Sequence, residues 1–242
     1  MPLSPEQEWT LAACGLVAHA DDIVEAGEWD RVLWMLDERI GAEDASTWLE
    51  LLADRERLRA HLDAMPPPMP FFTVGILEKA WRMALADGEG SEQEAAVHDM
   101  LAAHLGVPAD EAAALRKAWL RQAHRRSEVV AGFAAILANL DGRVDAEETA
   151  ELEALVERLP VPAERRSALR AKRSDPPSLE HVVGELMGMD AEERRIALVA
   201  LVPLLRSYPH KGAEGTRERA LFFDVAERVA IPSAEALRML ER

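Results

Sequence analysis

Apolar residues recur every three or four positions along most of the chain, and short polar turns separate the apolar segments. This spacing is typical of amphipathic α-helices, because it gathers the apolar side chains on one face. Alanine, leucine, glutamate and arginine dominate between the turns, and runs of β-branched residues that would indicate strands are absent from the sequence. The pattern therefore predicts an all-α fold.

One turn, of the form Asp-Gly-x-x-x-x-x-Glu, recurs along the chain. An aspartate ends an apolar segment, a glycine follows, and a glutamate lies in the first turn of the next helix, seven residues after the aspartate. Two copies are complete: Asp87, Gly88 and Glu94, and Asp141, Gly142 and Glu148. Two are partial: Asp21 and Glu28 without the glycine, and Gly212 and Glu218 with Lys211 in the aspartate position. We therefore expect a repeated helix–turn–helix–helix unit.

The intervals between the four copies are 66, 54 and 70 residues, so long and short intervals alternate. This alternation predicts two tandem domains of two repeats each, with a boundary near residue 126. All six tryptophans precede that boundary, and large aromatic side chains are expected in a helical core. The basic stretch 121–127 is readable as a continuous helix or as a hinge. The predicted domains are 1–125, with repeats around 5–63 and 71–125, and 127–242, with repeats around 127–172 and 190–242.

Helix capping accounts for much of the motif. Glycine is favoured just after a helix because it enters the left-handed region without a steric clash; the candidates are Gly88, Gly142 and Gly212. In a capping box, an N-cap side chain pairs with a glutamate three residues later; the candidates are Ser91 with Glu94 and Asp145 with Glu148. The aspartates are less well explained, because a carboxylate at the C-terminal end of a helix opposes the helix dipole. A bound cation, a basic neighbour or hydrogen bonds within the turn would offset this placement.

The turns and the helices around them resemble the TerB family of tellurite-resistance proteins. The segments ALADGEGSEQEAAVHDMLAAHLGV and ANLDGRVDAEETAELEALVERLPV carry the resemblance, and GMDAEERRIALVALVPLLRSY resembles the segment before the second motif of that family. The resemblance covers nearly the whole chain, as two tandem TerB-like domains. It implies a compact, non-enzymatic helical domain that is linked to tellurite and other chemical stress and has membrane-associated protein partners. It also implies a divalent-metal site, with candidate ligands Asp21, Glu28, Asp87, Glu94, Asp141, Glu148 and, in the fourth copy, Glu218.

Calcium is the favoured ion for such a site, and magnesium and manganese are alternatives. Calcium takes about six to eight oxygen ligands, whereas one repeat supplies two carboxylates, so backbone carbonyls, water or two converging repeats must complete the site. Lys211 would partly neutralise the acidic turns of the second domain, and we therefore expect the first domain to bind metal better. An EF-hand loop is disfavoured, because Leu137 stands where its first aspartate belongs.

The net charge of −16 repels nucleic acids and anionic lipids, which argues against both as partners. The longest apolar run, residues 196–205, is too short for membrane insertion, and the N-terminus has no signal-peptide pattern, so we expect a cytoplasmic protein. Cys14 is expected in the core. The histidines form no catalytic motif and are expected at the surface or partly packed, with a soft-metal site at His19 and His98 as an alternative.

Two functions follow from the sequence, and neither is enzymatic. The first is a metal-responsive scaffold or sensor for protein partners, in which a cation at the acidic turns holds the helices in one arrangement. The second is a metal-free helical adaptor that uses its acidic surface to bind proteins, with the repeated motif serving only to cap helices.

Overall fold

The computed structural model describes residues 3–20, 42–85, 90–140, 146–207 and 213–241. Every regular element within these residues is an α-helix, which confirms the predicted all-α class. Several residues of the acidic motif lie outside the described residues: Asp21, Glu28, Asp87, Gly88, Asp141, Gly142, Asp145, Lys211 and Gly212.

The chain divides into two compact units, residues 1–122 and 123–242. The first contains α1 (Pro5–Ala18), α2 (Ala42–Leu52), α3 (Arg55–Ala64), α4 (Pro70–Ala84), α5 (Glu92–His104) and the beginning of α6 (Ala109–Ala138). The second contains the rest of α6, α7 (Ala146–Glu157), α8 (Ala163–Ala171), α9 (Leu179–Met187), α10 (Ala191–Ala200), α11 (Val202–Ser207), α12 (Ala213–Arg228) and α13 (Ser233–Glu241). The stretch 121–127, which the sequence leaves open as helix or hinge, is helical.

Polar side chains at the helix starts explain several of these boundaries. The side chains of Ser4, Asp54, Ser178 and Asp190 each accept a hydrogen bond from a backbone N–H in the first turn of the helix that follows. Such bonds satisfy donors that have no partner within the helix. The proline-rich segment after α3 is extended, and α4 begins at Pro70, because proline fits the first turn of a helix but not its interior.

The core of the first unit is built around α1, which packs against α3, α4 and α5. All residues from Trp9 to Ala18 are buried, as expected for a helix surrounded by others. The indole N–H of Trp9 donates to the carbonyl of Pro66 at 2.8 Å. Cys14 lies fully buried in the same helix, as the sequence predicts.

The core of the second unit gathers side chains from α6 to α13, with Phe133 and Phe222 as its largest fully buried members. The short helix α11 packs against α7, α10, α12 and α13. Within the described ranges, no helix combines the length and the apolar character needed to cross a bilayer.

Candidate functional site

The structure describes three glutamates of the acidic motif, and all three are buried. The exposed fractions of Glu94, Glu148 and Glu218 are 5 %, 7 % and 3 %. Glu94 and Glu148 both occupy the third position of their helices, α5 and α7, where the helix dipole favours a negative charge. Glu218 lies further along, at the sixth position of α12. The motif therefore places buried carboxylates near the start of helices in both units.

Glu94 and Ser91 form the capping box that their spacing predicts. The backbone N–H of Glu94 donates to the Ser91 hydroxyl at 3.1 Å, and the backbone N–H of Ser91 donates to Oε2 of Glu94. The same box begins α1, where Ser4 pairs with the neutral side chain of Gln7. Because glutamine serves there, the box does not require a negative charge. Capping thus explains the position of Glu94 but not its charge.

The remaining ligands proposed from the sequence lie outside the described residues, as stated above. Within the part of the chain that the structure describes, no group of three or more histidine, cysteine, aspartate or glutamate side chains is placed to hold a metal ion. Glu94, Glu148 and Glu218 are the described members of the candidate ligands.

A glycine that the sequence interpretation missed fixes the approach to α5. Gly90 has a φ of +74°, in the left-handed region, and a Cβ on this residue would lie 2.6 Å from Cη2 of Trp81. Any side chain at this position would both strain the backbone and collide with the indole ring. The residue just before Ser91 therefore packs directly on Trp81. The second glycine of DGEGS was the signal for this contact.

Trp81 belongs to a buried aromatic cluster around His98. The imidazole of His98 is fully buried, with its centroid 5.4 Å from that of Trp81 and 6.0 Å from that of Trp119. Arg116 donates to Nδ1 of His98 at 3.0 Å, so Nε2 carries the proton and donates to the carbonyl of Leu77 at 3.1 Å. The expectation of a surface or partly packed histidine is therefore wrong for His98. Its two ring nitrogens are both engaged, which argues against the soft-metal alternative.

Burial lowers the pKa of His98 to about 4, and the nearby charge of Arg116 acts in the same direction. The hydrogen bond to Leu77 and the charge of Asp99 oppose this shift without cancelling it. Arg116 also donates to both carboxylate oxygens of Asp99 and lies 5.5 Å from the ring centroid of Trp81. It therefore joins His98 to Asp99, two neighbours in sequence that otherwise point apart on the helix.

A fourth buried glutamate, Glu193, lies outside the repeated motif and was missed as a functional candidate. Its backbone N–H donates to the side chain of Asp190, so the Asp-x-x-Glu spacing was its signal in the sequence. Arg126 donates to its carboxylate, and the two side chains are only 11 % and 6 % exposed. Here the chain neutralises a buried acid with its own cation.

No family model, curated protein or solved structure matches this chain. The function must therefore be inferred from the chemistry of the described groups. They are buried carboxylates at the start of α5 and α7, and in the first unit a turn that packs on the cluster of Trp81, His98 and Arg116.

Proposed function

We propose that the protein is a non-enzymatic, acidic helical module of the TerB type that binds a divalent cation and acts as a scaffold or sensor for protein partners. Calcium is the favoured ion. The observation that supports this proposal is the burial of a carboxylate at the same helix position in each unit, Glu94 in α5 and Glu148 in α7. The turn aspartates of the sequence motif would supply further oxygen ligands.

The two carboxylates are held in fixed positions by the fold, because both are buried in the first turn of a helix. Carboxylates fixed in this way would need little reorganisation to bind a cation. In the capping box of α5, Oε2 of Glu94 accepts a hydrogen bond from the backbone N–H of Ser91. The neutral side chain of Gln7 accepts the equivalent bond at the start of α1. Retaining an acid at this position is therefore consistent with a second task, and carboxylate oxygen is the ligand type that calcium prefers.

Ion binding at Glu94 would affect the packing of the first unit through the residues next to it. Ser91 lies in the capping box with Glu94, and Gly90 packs on Trp81. A cation bound by Glu94 would act on this turn and thus on the packing of Trp81 against His98 and Arg116. The first unit would then respond to the ion in a manner that a partner could detect.

The alternative function is a metal-free adaptor, and the capping box favours it. If the box is the whole role of Glu94, the net charge of −16 is a surface property that selects basic protein partners. The two functions make opposite predictions for a glutamine at position 94, because glutamine keeps the cap and removes the charge.

The test is calorimetric titration of chelator-treated protein with CaCl₂, repeated with MgCl₂ and MnCl₂. The Glu94→Gln variant should keep its stability in chelator and lose saturable binding in the first unit. The matched Ser91→Ala variant should lose about 1 kcal/mol of stability, because the cap is broken, yet still bind the ion. If the wild type binds none of the ions up to millimolar concentration, the metal-binding function is wrong and the adaptor function is favoured. If Glu94→Gln binds as the wild type does, Glu94 is not a ligand and the proposed site is wrong.

A second pair of variants addresses the unit that contains Glu148. We expect weaker binding there because Lys211 replaces an acidic residue of the motif. Lys211→Asp should add one binding equivalent, and Glu148→Gln in that background should remove it. An unchanged stoichiometry in Lys211→Asp would contradict this explanation for a difference between the units.

A further inference from the structure

The start of α4 carries an exposed apolar patch. Met69, Phe71 and Val74 are 60 %, 89 % and 44 % exposed, and they are three of the seven large apolar side chains that are exposed within the described ranges. No charged residue occurs in the segment 64–77, although charged residues make up 30 % of the chain. Contiguous apolar surface of this kind marks interaction sites. We call these three residues and Gly75 the α4 patch; none of them belongs to the acidic motif.

The α4 patch is held in place by the residues around it. The carbonyl of Pro66 accepts the hydrogen bond from the indole of Trp9, and Pro68 is buried. Phe71 packs edge to face on Phe72, with ring centroids 5.3 Å apart. Because the prolines restrict the backbone, little conformational entropy would be lost when a partner binds. The patch is therefore formed before any partner binds.

Gly75 lies on the same face of α4 as Phe71, about one helical turn further along. Glycine in the interior of a helix is destabilising. The packing of the chain itself does not require it here, because a Cβ on Gly75 would meet no atom within 4 Å. The missing side chain leaves a gap on the exposed face, next to the protruding ring of Phe71. A ring and a gap on one face can pair with a second copy of the same face.

We propose that the α4 patch is the interface between two copies of this chain, which pair as an antiparallel dimer with two-fold symmetry. Phe71 of each copy would fill the space over the partner's Gly75, and the two Val74 side chains would meet near the symmetry axis. A two-fold interface requires such self-complementarity, because every pair of contacting residues occurs twice.

Area and charge favour a second copy over other partners. Together with the neighbouring prolines, the patch offers roughly 500 Å² of apolar surface, so two patches would bury about 1,000 Å² in total, the low end for a specific interface. We therefore expect a weak dimer. A basic partner, which the net charge of −16 attracts elsewhere, finds no acid in the patch, and the same charge repels anionic lipid. A second copy presents a surface that is equally apolar and uncharged.

Sedimentation equilibrium of the full chain tests this proposal. The average mass should rise from that of one chain towards that of two as the protein concentration rises from about 5 to about 500 μM. The dimer should be at least threefold tighter in about 0.5 M than in about 0.05 M NaCl, because salt screens the repulsion between two acidic copies. A mass that stays at one chain, a mass that exceeds two chains, or association that weakens with salt would each overturn the proposal.

Phe71→Ser tests the protruding ring. This variant should weaken the dimer at least tenfold, with little effect on folding because the ring is 89 % exposed. Met187→Ser, which removes an exposed apolar side chain from α9, should leave the dimer unchanged. If the two variants weaken association equally, general hydrophobic attraction explains it and the proposal is wrong.

Gly75→Gln separates the interface from the stability of the fold. Glutamine favours a helix, so the thermal midpoint of the monomer should rise, whereas the new side chain fills the gap and should weaken the dimer at least tenfold. Gly184 provides the matched control, since it is also an exposed helical glycine whose Cβ would meet no atom within 4 Å. Gly184→Gln should stabilise the monomer and leave the dimer unchanged. A Gly75→Gln variant that dimerises as the wild type does would overturn the proposed arrangement.

Val74→Cys tests the position of the symmetry axis. Under mild oxidation a disulfide should join two copies of this variant, and Phe71→Ser in the same chain should slow the reaction at least tenfold. Cys14 is buried and does not compete. Met187→Cys is the control for random collision. If Val74→Cys is cross-linked no faster than Met187→Cys, the axis lies elsewhere and the proposed dimer is wrong.

Discussion

Gly106 and Ala230 occupy the same left-handed position after the ends of α5 and α12. Their φ angles are +74° and +61°, and Ala230 is the single non-glycine residue with positive φ among the described residues. In each case the following residue donates its backbone N–H to a carbonyl five residues earlier, the bond of a Schellman motif. These bonds join Val107 to Ala102 and Ile231 to Ala226, both at 2.8 Å. A proline then precedes the next helix in both copies.

The shared conformation predicts opposite effects of exchanging glycine and alanine at these two sites. Ala230→Gly should stabilise the protein by up to about 1 kcal/mol, because glycine has no Cβ to oppose a positive φ. Gly106→Ala should destabilise the protein by about 1–2 kcal/mol, because alanine disfavours a positive φ. A Cβ at Gly106 would meet no atom within 4 Å, so this loss would measure the backbone strain alone. Urea denaturation followed by circular dichroism measures both. A destabilised Ala230→Gly variant would contradict the backbone-strain explanation.

Gly90→Ala should cost more than Gly106→Ala, although the two glycines have the same φ of +74°. At Gly90 the added methyl group would also collide with Trp81, so we expect a loss of about 2–4 kcal/mol. The collision should alter the tryptophan fluorescence of the native state, whereas Gly106→Ala should leave it unchanged. Equal losses of stability in the two variants would show that the ring moves aside at little cost.

Features that depend on short spacing in the sequence were predictable. The capping box of Ser91 and Glu94 follows from their separation of three residues, and the all-α class follows from the apolar period. The left-handed turns after α5 and α12 were not among the predicted ones, but each is followed by a proline in the sequence, Pro108 and Pro232. These features depend on local backbone geometry, which the neighbouring residues largely determine.

Contacts between distant residues were not predictable in the same way. His98 and Arg116 are separated by 18 residues, and Arg126 and Glu193 by 67. Each pair forms because two helices pack with particular faces together. The spacing of residues along a single sequence does not show which faces of distant helices will meet. For the same reason the sequence suggested a metal set of aspartates and glutamates, but it gave no sign of the arginine that neutralises Glu193.

The Arg126–Glu193 pair is expected to behave as a buried ion pair. Glu193→Leu or Arg126→Met should each destabilise the second unit by about 3–5 kcal/mol, because each leaves one buried charge without its main partner. The double variant Arg126→Met/Glu193→Leu should recover most of this loss. A double-mutant cycle of unfolding free energies measures the coupling between the two sites. Additive losses would show that the pair contributes little beyond its separate contacts.

Cys14 should be chemically silent in the native protein. Its thiol is fully buried, and burial raises its pKa to about 12, so almost no thiolate forms near neutral pH. We therefore expect no reaction with Ellman's reagent on the timescale of minutes at pH 8, and complete reaction in denaturant. Since this is the chain's single cysteine, the native reaction rate reports opening around α1. A fast native reaction would show that α1 opens readily.

His98 should make the first unit less stable at mildly acidic pH. Its pKa is about 4 in the folded protein and about 6.5 in an unfolded chain, so between these values the unfolded state binds the proton preferentially. The unfolding free energy should therefore fall as the pH falls from 6.5 towards 4, with a total effect of the order of 3 kcal/mol. Above pH 6.5, His98 is neutral in both states and no longer makes the unfolding free energy depend on pH.

The His98→Gln variant isolates this effect from the titration of carboxylates. Glutamine can accept from Arg116 or donate to Leu77 but does not titrate, so the variant should be less stable than the wild type at pH 7.5 because the ring packing is lost. The difference between the two proteins should shrink as the pH falls to 4.5, because the wild type alone loses the histidine contribution. Urea denaturation at several pH values, followed by tryptophan fluorescence, measures the difference. If the difference in unfolding free energy stays constant from pH 7.5 to 4.5, the imidazole has the same protonation state in the folded and unfolded proteins. Its burial would then have no role in the acid sensitivity of this unit.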